Sequence, residues 1–148
     1  MLNLSGPLNQ YLEIFDVRIN GKKEVNVDFF PNDNIDIEIQ YKIKEDLNNV
    51  IIIISLFNEG YRLFTKRNTS DQKAQAGQIY KVKFQIKKFT LRPATYSLAI
   101  GGWANNETLW TWGLDILDFK IEEIWSDHFN KADEGIMNLD IITERFLL

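Results

Sequence analysis

Ile35, Ile37, Ile39, Tyr41 and Ile43 alternate with Asp36, Glu38, Gln40 and Lys42 over nine residues without a break. Side chains along an extended strand point to opposite faces in turn, so this spacing buries one face and wets the other. A helix would scatter the same apolar residues around its circumference. Tyr80, Val82, Phe84 and Ile86 repeat the pattern against Lys81, Lys83 and Gln85. A half-buried strand needs neighbours in a sheet and a second layer over its apolar face, which commits the chain to a layered β architecture.

The rest of the chain agrees. Leu12, Ile14 with Phe15, Val17 and Ile19 mark a first strand, ended by Asn20-Gly21. Val25 to Phe29 is a second, stopped before the turn-rich Pro31-Asn32-Asp33-Asn34. Val50 to Phe57 is β-branched and nearly continuous, the pattern of a central strand covered on both sides. Asn58-Glu59-Gly60 then turns the chain into Tyr61 to Lys66, and the polar residues 67–77 read as a surface loop. Leu114 to Trp125 is a long late strand, residues 126–135 a linker and 136–148 a terminal strand, while residues 1–10 form an N-terminal extension. In Leu91-Arg92-Pro93-Ala94-Thr95-Tyr96 a tyrosine follows a tight turn at the start of a strand. That placement predicts a tyrosine corner, with the hydroxyl bonded back to the turn. About nine strands without a helical period give one domain, residues 1–148, folded as an all-β, immunoglobulin-like antiparallel sandwich. The absence of cysteine excludes the antibody type.

Composition narrows the functions. A net charge of −4 supplies no electrostatic footprint for nucleic acid, and the lysines at 81, 83, 87 and 88 read as the solvated face of a strand. Without cysteine there are no disulfides, thiolate metal sites or cysteine nucleophiles. No apolar run reaches the roughly 18 residues of a membrane-spanning helix. The first ten residues lack the basic-then-apolar pattern of a secretory signal.

Three of the four tryptophans, Trp103, Trp110 and Trp112, fall in one short hairpin. Tyr96, Leu98 and Ile100 take the inner face of its first strand, leaving Ala99, Gly101 and Trp103 outside. If Asn105-Asn106 is a two-residue turn, Trp103 pairs with Thr108 and Gly101 with Trp110. Paired residues share a face, so all three rings join the outer side above small residues. A three-residue loop would turn Trp110 and Trp112 inward. Rings left on a shallow exposed surface suit sugar stacking, with Asn105, Asn106 and Glu107 reading hydroxyl groups. Two other uses fit the same residues: burial in a dimer interface, where aromatic anchors concentrate, and ordinary core packing.

Catalytic chemistry has little to work with. His128, beside Asp127, has no serine or cysteine nucleophile in a strained elbow to serve. Glu107, Asp115 and Asp118 lie near the tryptophans in sequence, but Glu107 at a hairpin tip is too exposed to act as a general acid. Asp28, Asn32, Asp33 and Asp36 offer hard oxygens at a spacing that matches no calcium loop. No phosphate-binding glycine loop occurs. The sequence therefore predicts no enzyme activity, no metal and no cofactor.

Several segments resemble one family. They are Val17-Arg18-Ile19-Asn20-Gly21, Phe30-Pro31-Asn32-Asp33-Asn34-Ile35-Asp36-Ile37, Ile52 to Phe64 around its glycine turn, Arg67-Asn68-Thr69, Leu91 to Leu98, Asp118-Phe119-Lys120-Ile121 and Gly135-Ile136-Met137-Asn138-Leu139. In this order, over about residues 11–142, they resemble the C-terminal carbohydrate-binding domain of the ATPase subunit of ABC exporters for O-antigen polysaccharides, the Wzt type. Ala94 stands where that family's corner carries glycine, and Arg145-Phe146 where it often ends in tryptophan.

The resemblance implies a non-catalytic, lectin-like domain that recognises a bacterial surface polysaccharide at the cytoplasmic face of the membrane. It also implies a homodimer whose terminal strand crosses to the partner, working with an ATPase domain and transmembrane exporter subunits. The competing expectation is a protein-docking or adhesion module that uses the tryptophan hairpin or the terminal strand.

Overall fold

The computed structural model describes residues 6–22, 27–68, 72–104, 107–110, 117–121 and 141–148. Eleven strands lie in these segments: β1 (Leu12–Ile19), β2 (Val27–Phe29), β3 (Ile35–Ile43), β4 (Leu47–Asn58), β5 (Tyr61–Arg67), β6 (Gln72–Ala74), β7 (Ile79–Ile86), β8 (Ala94–Ala104), β9 (Glu107–Trp110), β10 (Leu117–Ile121) and β11 (Ile141–Leu147). They form two sheets, one of four strands in the order β1-β3-β7-β11 and one of seven. The larger runs β2-β10-β8-β4-β5, with β6 beside β4 and β9 beside β8. The two apolar inner faces form one continuous core, as a sandwich requires.

Alternation does what it predicted in the smaller sheet. Ile37 pairs with Phe84 and Ile39 with Val82, all buried, while Glu38 pairs with Lys83 on the wet side. That outer pair is an ion pair at 3.1 Å. In the larger sheet Ile52, Ile54 and Leu56 of β4 face the core, and Ile53 and Ser55 of opposite parity are buried too. The run covered on both sides is therefore real. Ser55 meets this burial by sharing a 2.5 Å hydrogen bond with the Thr65 hydroxyl.

Two features exceed the sequence expectation. Within the polar stretch 67–77, Arg67 continues β5, and Gln72–Ala74 pairs with β4 and buries Ala74. A single small apolar residue among polar ones gives no readable alternation. β2 pairs with β10 in parallel, the one departure from antiparallel order among the described pairings.

Within the predicted N-terminal extension, Pro7–Gln10 forms a 3₁₀ turn that buries Leu8. Leu8 packs over Gly102 so closely that a Cβ there would sit 2.9 Å from Leu8 Cδ1 and 3.1 Å from the Ile51 carbonyl oxygen. The glycine makes room for the turn.

The tyrosine corner is present. Tyr96 donates to the Arg92 carbonyl at 2.5 Å, and its ring stacks on Phe119 with centroids 5.6 Å apart. Burial pushes its hydroxyl pKa up to about 12. This fixes the start of β8.

β11 pairs antiparallel with β7 of its own chain. Its inward positions include Arg145, paired with buried Val82. The Arg145 guanidinium lies 5.2 Å from the Tyr80 ring centre and donates across the sandwich to the Val50 carbonyl at 3.1 Å. Tyr80 in turn stacks on Tyr41. The linker expected at 126–135 lies outside the described residues. No described helix is long and apolar enough to cross a membrane.

Candidate functional site

The hairpin that carries the tryptophans is set by its small residues and its turn. β8 enters from the tyrosine corner and alternates Tyr96, Leu98 and Ile100 into the core. Gly102 and Ala104 continue that inner parity, and both are buried. β9 returns with Ala104 opposite Glu107, Trp103 opposite Thr108, Gly102 opposite Leu109 and Gly101 opposite Trp110. This is the register that a two-residue connection demands. Leu109, on the inner parity, packs against the core.

The expected site residues fall out as follows. Trp103 lies on the outer parity and is half-buried, its cross-strand partner Thr108 is exposed, and exposed Glu107 pairs with Ala104 on the other parity. The backbone of residue 110 occupies the position opposite Gly101. Asn105, Asn106 and Trp112 lie outside the described residues. Across β8, the partners of Trp103, Gly101 and Ala99 on β4 are Ile51, Ile53 and Ser55. Ser55 is fully buried and Ile53 nearly so, so the middle of this face is closed and its accessible part lies toward the hairpin tip. There the half-buried Trp103 ring and the exposed Thr108 share the outer face, and exposed Glu107, paired with Ala104, lies at the tip on the other parity. One apolar ring beside hydrogen-bonding groups is a surface for weak, multi-point contact with a hydroxylated ligand.

Residues with alternative chemistry are otherwise occupied or apart. Asp33 accepts a hydrogen bond from the Phe30 amide at 2.8 Å, and Asp36 accepts from Gln85 Nε2 at 2.8 Å. Asp118 sits on β10 opposite Ser97. The two positions are well down β8 from the Glu107 end. Asp115 and His128 lie outside the described residues. Among the described residues, no cluster of three histidine or acidic groups could hold a metal ion.

Sequence reasoning missed a second concavity, on the outer face of the four-stranded sheet. It encloses about 200 Å³ and is lined by Asp36, Lys83, Gln85, Ile142 and Glu144. These residues come from three strands far apart in sequence, and only their pairing brings them together. The wet parity of β3 and β7 was readable, but nothing in the sequence placed β11 beside them.

A family model described as the Wzt C-terminal domain matches residues 9–139. Among solved structures, the crystal structure of the C-terminal domain of wzt superposes with a TM-score of 0.59 at 14% identity, covering 88% of this chain and 78% of that one. At that identity the likeness speaks to fold. A β-glucosidase from Listeria innocua in complex with glucose aligns at TM-score 0.43 and 12% identity, over 81% of this chain and 16% of the enzyme, too remote to carry an argument. No curated protein matches the chain in sequence.

Proposed function

This chain belongs to the Wzt C-terminal domain family, and on that premise we propose that it is a non-catalytic carbohydrate-binding domain. Its ligand is a bacterial surface polysaccharide of the O-antigen type, recognised before export by an ABC transporter. The observation that carries the reading is the hairpin register, which sets Trp103 on the outer face opposite exposed Thr108, at the tip that exposed Glu107 closes. In this account Trp103, Trp110 and Trp112 stack on the sugar while Asn105, Asn106 and Glu107 read hydroxyls. The domain works at the cytoplasmic face of the membrane as a homodimer, with an ATPase domain and transmembrane subunits as partners. The terminal strand is the element exchanged between copies, because its own docking rests on one strand pairing and the Arg145 contacts.

Affinity electrophoresis of the purified chain through gels containing O-antigen-type polysaccharides tests this directly. Retardation by at least one polymer is expected, and unchanged mobility in all of them contradicts it. A second reading, a protein-docking module, draws on the terminal strand, where Ile142, Phe146, Leu147 and Leu148 expose apolar surface. That reading predicts no retardation by any polysaccharide.

A further inference from the structure

We infer that the cleft bordered by Asp36, Lys83, Gln85, Ile142 and Glu144 is a second carbohydrate subsite, one that takes a single uncharged, hydroxyl-rich sugar unit. That the ligand is a carbohydrate rests on the function proposed above. That a site exists there rests on the walls of the cleft.

Those walls are two adjacent cross-strand rows on one face. Asp36, Gln85 and Ile142 form the first row, and Glu38, Lys83 and Glu144 the second. In the first, Gln85 Nε2 donates to Asp36 Oδ1 at 2.8 Å, which sets the amide and the carboxylate side by side. An amide has two acceptor lone pairs and a second N–H, and a carboxylate has a second oxygen, so this held pair keeps capacity for neighbouring hydroxyls. In the second row, Lys83 is engaged by Glu38 at 3.1 Å, and the Glu144 carboxylate makes no hydrogen bond or ion pair among the described residues. Beside Glu144, Ile142 presents apolar surface to the cleft, 44% exposed. Acceptors beside an aliphatic wall match the two kinds of surface that a pyranose carries, its hydroxyl edge and its C–H face.

Charge selects among sugars. Two carboxylates border the cleft, and the one ammonium there is already paired, so a uronate or phosphorylated unit would meet like charge. A metal ion is disfavoured by the same arrangement, because Lys83 stands beside the carboxylates. At about 200 Å³ the cleft holds one ring rather than a chain. It lies on the outer face of the smaller sheet, whereas the hairpin belongs to the larger one, so the two sites would engage separate points of a polymer or separate chains.

The test uses the whole chain labelled with nitrogen-15, titrated with a neutral mannan and with polygalacturonate. Amide shifts read the cleft, and tryptophan fluorescence reads the hairpin. Glu144→Gln and Gln85→Ala are the variants, both at wet positions that leave the core intact. Mannan is expected to shift the amides of residues 83–85 and 142–144. Each variant should weaken the affinity read at those amides by about 5-fold to 10-fold, the range set by one lost hydrogen bond, with hairpin fluorescence unchanged. Three results overturn the subsite while leaving the hairpin reading in place: shifts confined to the hairpin, cleft shifts of equal affinity in both variants, or equal affinity for polygalacturonate. Silence at both places in folded protein removes the carbohydrate reading altogether, and the subsite with it.

Discussion

Strands β3 and β11 both pair antiparallel with β7, one on each side, yet they are held by different physics. The inward residues of β3 are all apolar and its outward residues all polar, so a slip of one position would bury four polar side chains together. β11 has no such asymmetry. Its inward set includes Thr143 and Arg145, while Ile142 and Phe146 face water on the other side. Hydrophobicity leaves its register undecided, and Arg145 decides it by reaching Val50 on the opposite sheet and lying over Tyr80. A strand specified by pattern is part of the body. A strand specified by one polar anchor should be separable, as the exchange between copies proposed above requires.

The sharpest break of this comparison is Ile39→Ala, at the fully buried centre of β3. It should destabilise the whole domain by about 2–4 kcal/mol through lost burial and a residual cavity, seen as one cooperative shift of the denaturation midpoint. Arg145→Ala should cost less, about 2 kcal/mol from one charged hydrogen bond and one cation–π contact. Its signature differs in kind. Hydrogen exchange should speed up in β11 and along the β7 edge that it covers, with β3 still protected. Equal loss of protection in β3 would mean that β11 is not separable.

Tyr96→Phe probes a polar anchor inside the body and should cost about 1 kcal/mol. It also carries a pH signature. Burial holds both Tyr96 and Tyr41 near a pKa of about 12, with the Arg145 charge partly opposing this at Tyr41. The unfolded value is about 10, so the folded state retains these protons longer. Their stabilising share is complete below about pH 10 and is lost as pH rises through about 12. Denaturation midpoints between these limits should fall with pH, less steeply in Tyr96→Phe, where only Tyr41 remains. The smallest effect belongs to Glu38→Gln, which breaks a partly exposed ion pair with Lys83 and should change stability by less than about 0.5 kcal/mol.

The same contrast explains what could be read in advance. β3, β7, the two-sided burial of β4 and the tyrosine corner were legible because each writes its environment into a local pattern. The hairpin register was legible because parity and a short turn leave few choices at Gly101 and Trp103. What escaped depends on partners distant in sequence. The packing of Leu8 on Gly102, the pairing of Ala74 with Leu47 and the parallel match of Phe119 with Val27 have no local signature. The cleft is the extreme case: Asp36, Gln85 and Ile142 share a row only after β11 has docked.

The most direct test of the central claim follows tryptophan fluorescence while O-antigen-type polysaccharides are titrated into the purified chain, with Trp103→Ala and Trp110→Ala in parallel. The account predicts a saturable change with at least one polymer and its loss in both variants. A folded protein whose fluorescence ignores every polymer, or whose binding survives both substitutions, would contradict a carbohydrate site on this hairpin.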